Sequence, residues 1–521
     1  MSSSTNNNKK WLLAAICLAI GVVIWFLQPE IPEFIVNNHL GQIDPELTGT
    51  YYTEAVEVAN NAAITQWDNG WRLFSIFIAT IVALILQPWP MGTVSFIAIT
   101  IVVLTNTRTM GEALSGFSDA TIWLIVCAFF ISRGFIKTGL GPRIAYLMMS
   151  KFGHKTLTLG YSLTFANLIM GPAMPSNTAR CGGIISPIVK SLSNLYDSKV
   201  EDGTERRIGS FLAYTTFQAD IIVCAMFMTA MAANPMIVDL AYTAIGVELT
   251  WGAWFMAALV PGLVGIAVIP YVIYKIYPPE IKETPQAPAL AREKLKEMGA
   301  LSRDEKWMLV VFVQLLVMWI VGPELANGWA SWVPISFNIG ATATAFTGLS
   351  VLLMADVLNF EDIKAEKGAW DTLVWFAALV MMANHLNTLG VIGWFSNSVE
   401  TLVSGWGWIA AFLVIALAYF YSHYFFASAT AHVSAMYAAM LVAAVAVDTP
   451  PLLAALVLAY FSNLFMGITH YGTGNAPPWF GLGYVTLKDW WGKAFILSVI
   501  NIFIWVVIGG AWWLVLGHWS L

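Results

Sequence analysis

Apolar stretches about 20 residues long, the length a helix needs to cross a hydrocarbon core, recur from one end of this chain to the other. They fall near 11–27, 72–87, 91–104, 119–136, 208–233, 250–276, 307–322, 333–355, 371–388, 451–469 and 494–516. Two more, at about 157–193 and 406–446, are each broken near the middle by a small polar cluster. Only 11% of the 521 residues are charged and 58% are hydrophobic, against roughly a quarter charged in a soluble domain. An ordinary soluble enzyme is excluded. The expected fold is an all-α polytopic membrane protein with eleven transmembrane helices.

Cys17, Cys127, Cys181 and Cys224 have neither CxxC spacing nor a hydrophilic loop partner, so neither a disulfide nor a metal site is expected. The net charge of −6 gives no reason to expect nucleic acid. The run from Trp11 to Leu27 passes straight into Gln28-Pro29-Glu30 with no small-residue cleavage site. It reads as a retained first helix, with a signal sequence the minor alternative.

Lysine and arginine set the orientation, because cytoplasmic loops retain them. With Lys9 and Lys10 inside, Gln28–Gly70 lies outside and holds seven acidic residues and no lysine or arginine. Eleven spans, with both broken stretches returning to the side they entered from, then put all of the 25 basic residues inside except Arg72, Arg108 and the membrane-depth Arg180. Making either broken stretch a full span moves later basic loops to the wrong face. Both are therefore expected to be re-entrant hairpins, with the N-terminus inside and the C-terminus outside. The expected organisation is residues 1–71 as first helix and external loop, 72–277 as one repeat, 278–306 as a cytoplasmic linker with a short, mostly solvated surface helix, and 307–521 as the second repeat.

The repeat shows at a fixed offset. Asp119 and Trp123 in GFSDATIWLIV match Asp371 and Trp375 in GAWDTLVWFAA, 252 residues on. Ser176-Asn177-Thr178-Ala179-Arg180 matches Ser428-Ala429-Thr430-Ala431-His432 at the same offset. The charge argument gives the two halves opposite orientations, so the repeat is expected to be inverted, as in secondary transporters.

At the first break, Gly171, Pro172 and Pro175 stop one half-helix and Ser176 is suited to cap the next, leaving backbone N–H groups at the tip. Unpaired N–H groups within a membrane need a ligand or neighbouring protein. An anion fits, with Ser176, Asn177 and Thr178 adding donors and Ser428 and Thr430 matching them at the second tip. A single such cluster is more often packing or capping; two at matched positions are not so readily explained that way.

The MPSNTAR tip, the SATAH tip and the THYGTGNAPPWFGLGY stretch resemble the divalent anion:sodium symporter family, within it most the citrate/succinate, tartrate/succinate and plastid 2-oxoglutarate/malate exchangers. The resemblance covers nearly the whole membrane portion. It implies eleven helices with two re-entrant hairpins, a homodimer in membrane lipid, elevator-type movement, a bacterial cytoplasmic membrane and di- or tricarboxylate substrates. It also implies that residues 229–235 and 472–478 unwind the fifth and tenth helices. Thr473, Gly474 and Asn475 then become expected substrate contacts, with Thr229, Asn234 and Pro235 as looser ones. No cofactor is expected.

One departure stands out. Where sodium-coupled members repeat Ser-Asn-Thr, this second tip has Ala429, and Arg180 and His432 follow the two tips. Arg180 and a protonated His432 are expected to supply as fixed positive charge what sodium supplies in the symporters, which favours obligate exchange of dicarboxylates. A sodium- or proton-coupled symporter of the same fold is the near alternative. For Arg180 the competing readings are snorkelling to the cytoplasmic face or pairing with Asp220; for Asp220 they are that pairing, a proton-accepting role or a place in the vestibule wall. His432 is as readily a neutral histidine bonded to backbone. His470 and Tyr471 stand beside the GTG break, and His385 and His423 take structural roles. An intramembrane enzyme would need HExxH or paired intramembrane aspartates, and neither occurs.

Overall fold

A computed structural model describes residues 2–329, 340–395 and 407–519. The start of the span expected at 333–355 and the first residue of the stretch expected at 406–446 lie outside the described residues. Among the described residues the chain is helical, without a β-strand; Lys155 and Glu283 form an isolated bridge. Seven helices are long and apolar enough to cross a membrane: Lys9–Phe26, Gly49–Leu86, Ala120–Thr138, Trp251–Ile276, Trp408–Phe425, Ala429–Ala446 and Leu487–Val515. Met91–Leu104, Ala341–Met354 and Pro451–Gly467 are shorter apolar helices. Large apolar side chains such as Trp11, Leu18, Val23 and Phe26 stand exposed on the first of these, as a lipid-facing helix requires. This is an integral membrane protein.

At the centre lie two helices with no exposed face. Every residue of Gly209–Met226 is buried, as is every residue of Pro451–Leu464 from Leu453 onward; the second is almost wholly apolar, while the first buries Gln218 and Asp220 among its apolar side chains. Both then unwind. Gly209–Met226 gives way to the 3-10 turn Met228–Ala230 before helix resumes at Ala233–Ile245. Pro451–Leu464 runs through the 3-10 turn Phe465–Gly467 into irregular chain, and only the short helix Ala476–Phe480 follows.

The 252-residue offset extends to whole elements. Thr156–Met170 and Trp408–Ser422 are both 15 residues long, and each ends in a three-residue 3-10 turn, Gly171–Ala173 and His423–Phe425. A capping box at Thr109 and Glu112 has a counterpart 250 residues on, two short of that offset, at Asn359 and Asp362, and Asp362 also takes an ion pair from Lys137 at 2.6 Å.

One expectation about loops is corrected. Residues 28–70, expected as an external loop, are largely helical: Glu33–Leu40 forms one helix, and the helix expected from residue 72 begins at Gly49. Nothing between Thr50 and Asn69 breaks it, since that stretch has no proline or glycine. The basic segment 133–155 carries the amphipathic helix Leu140–Phe152, with Arg143, Ala145 and Met149 turned inward. The linker carries a short surface helix, docked along one edge. Its helix Gln286–Met298 buries Ala287, Pro288 and Ala291 and packs on Leu140–Phe152. Thr156 N–H donates to Lys282 O at 3.0 Å, and Thr284 N–H to His154 O at 2.8 Å. The paired tryptophans serve as scaffold packing: Trp512 and Trp513 donate to Met256 O and Ala257 O, both at 2.8 Å, and Trp490 lies against Tyr214 and Phe217.

Candidate functional site

The first hairpin turns where its sequence stops making helix. Ser176 then starts the returning arm: its Oγ accepts from Ala179 N–H at 3.1 Å and its carbonyl from Arg180 N–H at 2.9 Å. That arm opens as a π-helix, Thr178–Ile185, before tightening into Ser186–Leu195. Pro187 explains the wide turn, because it lacks the N–H that an α-helix would offer to Gly183 O and its ring crowds that carbonyl. Wide turns of this kind are frequent at functional sites. The second hairpin is capped the same way: Ser428 Oγ accepts from Ala431 N–H at 3.3 Å and Ser428 O from His432 N–H at 3.1 Å.

Arg180 is fully buried, and all five of its N–H groups are used. Nε donates to Asn167 Oδ1 at 2.7 Å. One Nη1 hydrogen goes to Met174 O and the other to Ala230 O at 3.0 Å. Nη2 reaches Asp220 Oδ1 at 2.8 Å and Cys224 Sγ at 3.3 Å. Asp220 is also bonded on both oxygens, taking Asn167 Nδ2 on Oδ1 and Asn475 Nδ2 on Oδ2, both at 2.9 Å. The expectation of Arg180 as a standing positive charge is therefore corrected: its charge is cancelled by Asp220, and it has no donor left for a substrate in this conformation. A guanidinium with five satisfied donors at membrane depth is a fastening. It locks the first hairpin to both sides of the break between Gly209–Met226 and Ala233–Ile245.

His432 is also fully buried. Its Nδ1 lies 3.0 Å from Nδ1 of His423, and its Nε2 lies 3.1 Å from Ser422 Oγ. His423 Nε2 lies 2.9 Å from Gly472 O. A carbonyl only accepts, so His423 carries its proton on Nε2 there. The sequence alone gave His423 a structural role. Its position nine residues before His432, across the turn of the hairpin, was the available signal.

The first tip and the first arm of the second hairpin meet on the irregular chain that follows Phe465–Gly467. Asn177 Nδ2 donates to Thr473 Oγ1 at 3.4 Å, and Gly474 faces Thr178 Oγ1, which a Cβ there would approach to 3.4 Å. From the other side, His423 holds the carbonyl of Gly472. Ser176, Asn177, Thr178, Ser428, Thr430 and Gly474 keep solvent access, while Thr473 is nearly buried. Asn475 is buried, its amide committed to Asp220 and its Oδ1 without a partner. The looser candidates sit away from this rim. Thr229 Oγ1 donates to Pro172 O and accepts from Trp251 Nε1. Asn234 caps the end of Gly209–Met226 through Cys224 O and Phe227 O and accepts from Asn463. Pro235 is buried in the first turn of Ala233–Ile245.

The family model described as the sodium:sulfate symporter transmembrane region matches residues 63–519. The chain belongs to this family, the divalent anion:sodium symporters. It is 57% identical, over 86% of its length and 92% of the relative's, to YflS of Bacillus subtilis, a protein named for malate transport. It is 48% identical to dicarboxylate transporter 1 of spinach chloroplasts, over 87% of this chain and 78% of that one, and 34% identical to the L-tartrate/succinate antiporter of Escherichia coli, over 85% and 92%. The YdaH transporter of Alcanivorax borkumensis shares the fold, with a TM-score of 0.54 at 12% identity over 80% of this chain and 89% of that one. As a member of this family the chain is a transporter and not an enzyme.

Proposed function

We propose that this protein exchanges dicarboxylates of the malate, succinate, 2-oxoglutarate, tartrate or citrate class across a bacterial cytoplasmic membrane. The observation that carries the reading is the approach of both hairpins to Gly472–Asn475, the first through the tip residues Asn177 and Thr178 and the second through His423, five residues before its Ser428 cap. Helix N-termini present N–H groups to an anion, and two of them suit two carboxylates. The names of the relatives, malate, dicarboxylate and tartrate/succinate, point to the same substrates.

With Arg180 neutralised by Asp220, exchange has a different physical basis from a fixed charge. An empty carrier carries bare tip donors through hydrocarbon, which is costly; a bound dianion satisfies them. Ala429 offers no side-chain oxygen to sodium at the second tip, which supports exchange over sodium coupling. Eleven spans, re-entrant hairpins, an elevator movement, a homodimer and an N-inside, C-outside orientation belong to the same reading. Hairpin arms of 18 residues are long enough to cross, so accessibility labelling of single cysteines placed at the tips tests re-entrance. The deciding experiment measures uptake into proteoliposomes with and without internal dicarboxylate and sodium. Exchange requires internal dicarboxylate and ignores sodium; strong sodium-driven uptake into empty vesicles would refute it.

A further inference from the structure

His423 and His432 are joined ring to ring inside the second hairpin, and their hydrogen bonds are complete in two protonation states. In the neutral state His423 Nε2–H donates to Gly472 O, His432 Nδ1–H donates to His423 Nδ1, and Ser422 O–H donates to His432 Nε2. Adding one proton at His432 Nε2 reverses only the last bond. Nε2–H then donates to Ser422 Oγ, and the serine hydroxyl turns to Tyr419 O, 2.8 Å away. A second proton would leave two N–H groups facing each other across 3.0 Å, so the pair holds one proton at most.

The surroundings favour a cation once its charge is balanced. Phe426 and Phe465 lie near-parallel to the His432 ring at 4.3 and 4.5 Å, and Tyr419 lies at 4.8 Å; aromatic faces attract a cation. The pair is buried, and His432 stands in the first turn of Ala429–Ala446, where the helix end is already positive. Among the described residues no ion pair reaches either ring. Tyr419 and Tyr437 are the titratable groups on the hairpin arms facing the pair, with His470 and Tyr471 beyond Gly472. The other elements packed on the hairpin bring Asp239, on Ala233–Ile245, and Asp68 with Arg72, on Gly49–Leu86. The missing negative charge is the substrate.

We propose that His423 and His432 together bind one proton, taken up from solution as a dicarboxylate seats at the tip of the second hairpin. This rests on the reading of the protein as a dicarboxylate carrier. His423 is the positioning residue: it fixes the His432 tautomer and ties the proton to the backbone of the loop that carries Thr473. Because the proton enters with each substrate, it travels in both directions of an exchange and cancels, which separates this from proton-driven symport.

The test titrates the purified full-length protein with malate in lightly buffered detergent above pH 6.5, where malate is a dianion, and reads proton uptake with an indicator dye. Calorimetry in buffers of different ionisation heat provides the check. The wild type should take up about one proton per malate, with affinity rising by up to about tenfold per unit fall in pH. H432Q should take up none. H423Q keeps a donor for Gly472 O and so preserves the fold, and its uptake should move to lower pH while malate still stabilises it against heat. Malate binding without proton exchange in the wild type, or uptake unchanged in both variants, overturns this inference alone. No binding of any dicarboxylate overturns the carrier reading with it.

Discussion

Arg180 Nη2 lies 2.8 Å from Asp220 Oδ1, and neither side chain reaches solvent. The pair joins the first hairpin to Gly209–Met226, and through Asp220 Oδ2 to Asn475. Removing one partner strands a charge at membrane depth, so R180A and D220A should each lose about 3–5 kcal/mol of stability. Replacing both with neutral residues of similar shape, as in R180M/D220L, should recover much of that loss. Melting temperatures in detergent read all three. A normal melting temperature for R180A alone would mean that the buried pair does not hold the fold.

Asn177 and Thr178 are different, because they face the open rim and hold little of the scaffold. N177A removes one donor that reaches Thr473, and T178A removes a hydroxyl beside Gly474. Melting temperatures should stay within a few degrees of wild type. If these groups bind carboxylate, the loss of a hydrogen bond to a charged group, about 1.5–3 kcal/mol, should raise KM for exchange roughly 10- to 100-fold. Unchanged KM in both variants would move the substrate away from the first tip.

What the sequence disclosed was what depends on local chemistry. Ser176 and Ser428 as caps, the prolines that stop the first arm, and the helix breaks near 229–235 and 472–478 are written in short motifs. Pairings between distant elements are not. Asp220 is 40 residues from Arg180, and the choice between salt bridge and free charge needed the relative placement of two helices. The helical part of residues 28–70 escaped because its polar residues read as loop, although alanines and the lack of proline or glycine favoured helix. Leu140–Phe152 escaped for a related reason: basic residues counted for topology hid an inward apolar face. His423 was given a packing role because a lone histidine in an apolar arm usually packs, and only the fold of the hairpin brings it to His432.

Gly472 allows its loop to lie against the histidine pair. A Cβ there would come within 2.5 Å of His423 Nε2 and 2.7 Å of Thr469 Oγ1. G472A should therefore push the loop off His423, unpair a buried imidazole N–H and shift Thr473 out of place. Loss of exchange should exceed any loss of folded protein, with a cost of about 1–3 kcal/mol for the stranded donor. At Gly474 a Cβ meets only Thr178 Oγ1, at ordinary contact distance, so G474A should fold normally and act on KM. If G472A exchanges like wild type, the loop does not transmit the position of His423 to the site.

The ion pair between Arg143 and Glu305, beside the base of the first hairpin, offers a prediction in pH. Arg143 Nε and Nη2 grip both oxygens of Glu305 at 2.5 and 3.1 Å, and Arg143 also holds the carbonyls of Gly299 and Met298. Burial alone would raise the Glu305 carboxyl, but the hydrogen bond from Arg143 and the amide of Ser302 outweigh it and hold it below the ordinary range. A carboxyl depressed on folding stabilises the protein fully above its unfolded value, near 4.3, and less as pH falls through the folded value. Wild-type melting temperature should therefore decline on acidification below about pH 4.3, with Glu305 contributing to the slope. E305Q should lose about 2 kcal/mol at pH 7 and show a shallower decline in acid. Parallel melting curves for wild type and E305Q from pH 7 down to about 3.5, a window spanning that value, would show that the pair does not link the linker to the hairpin base.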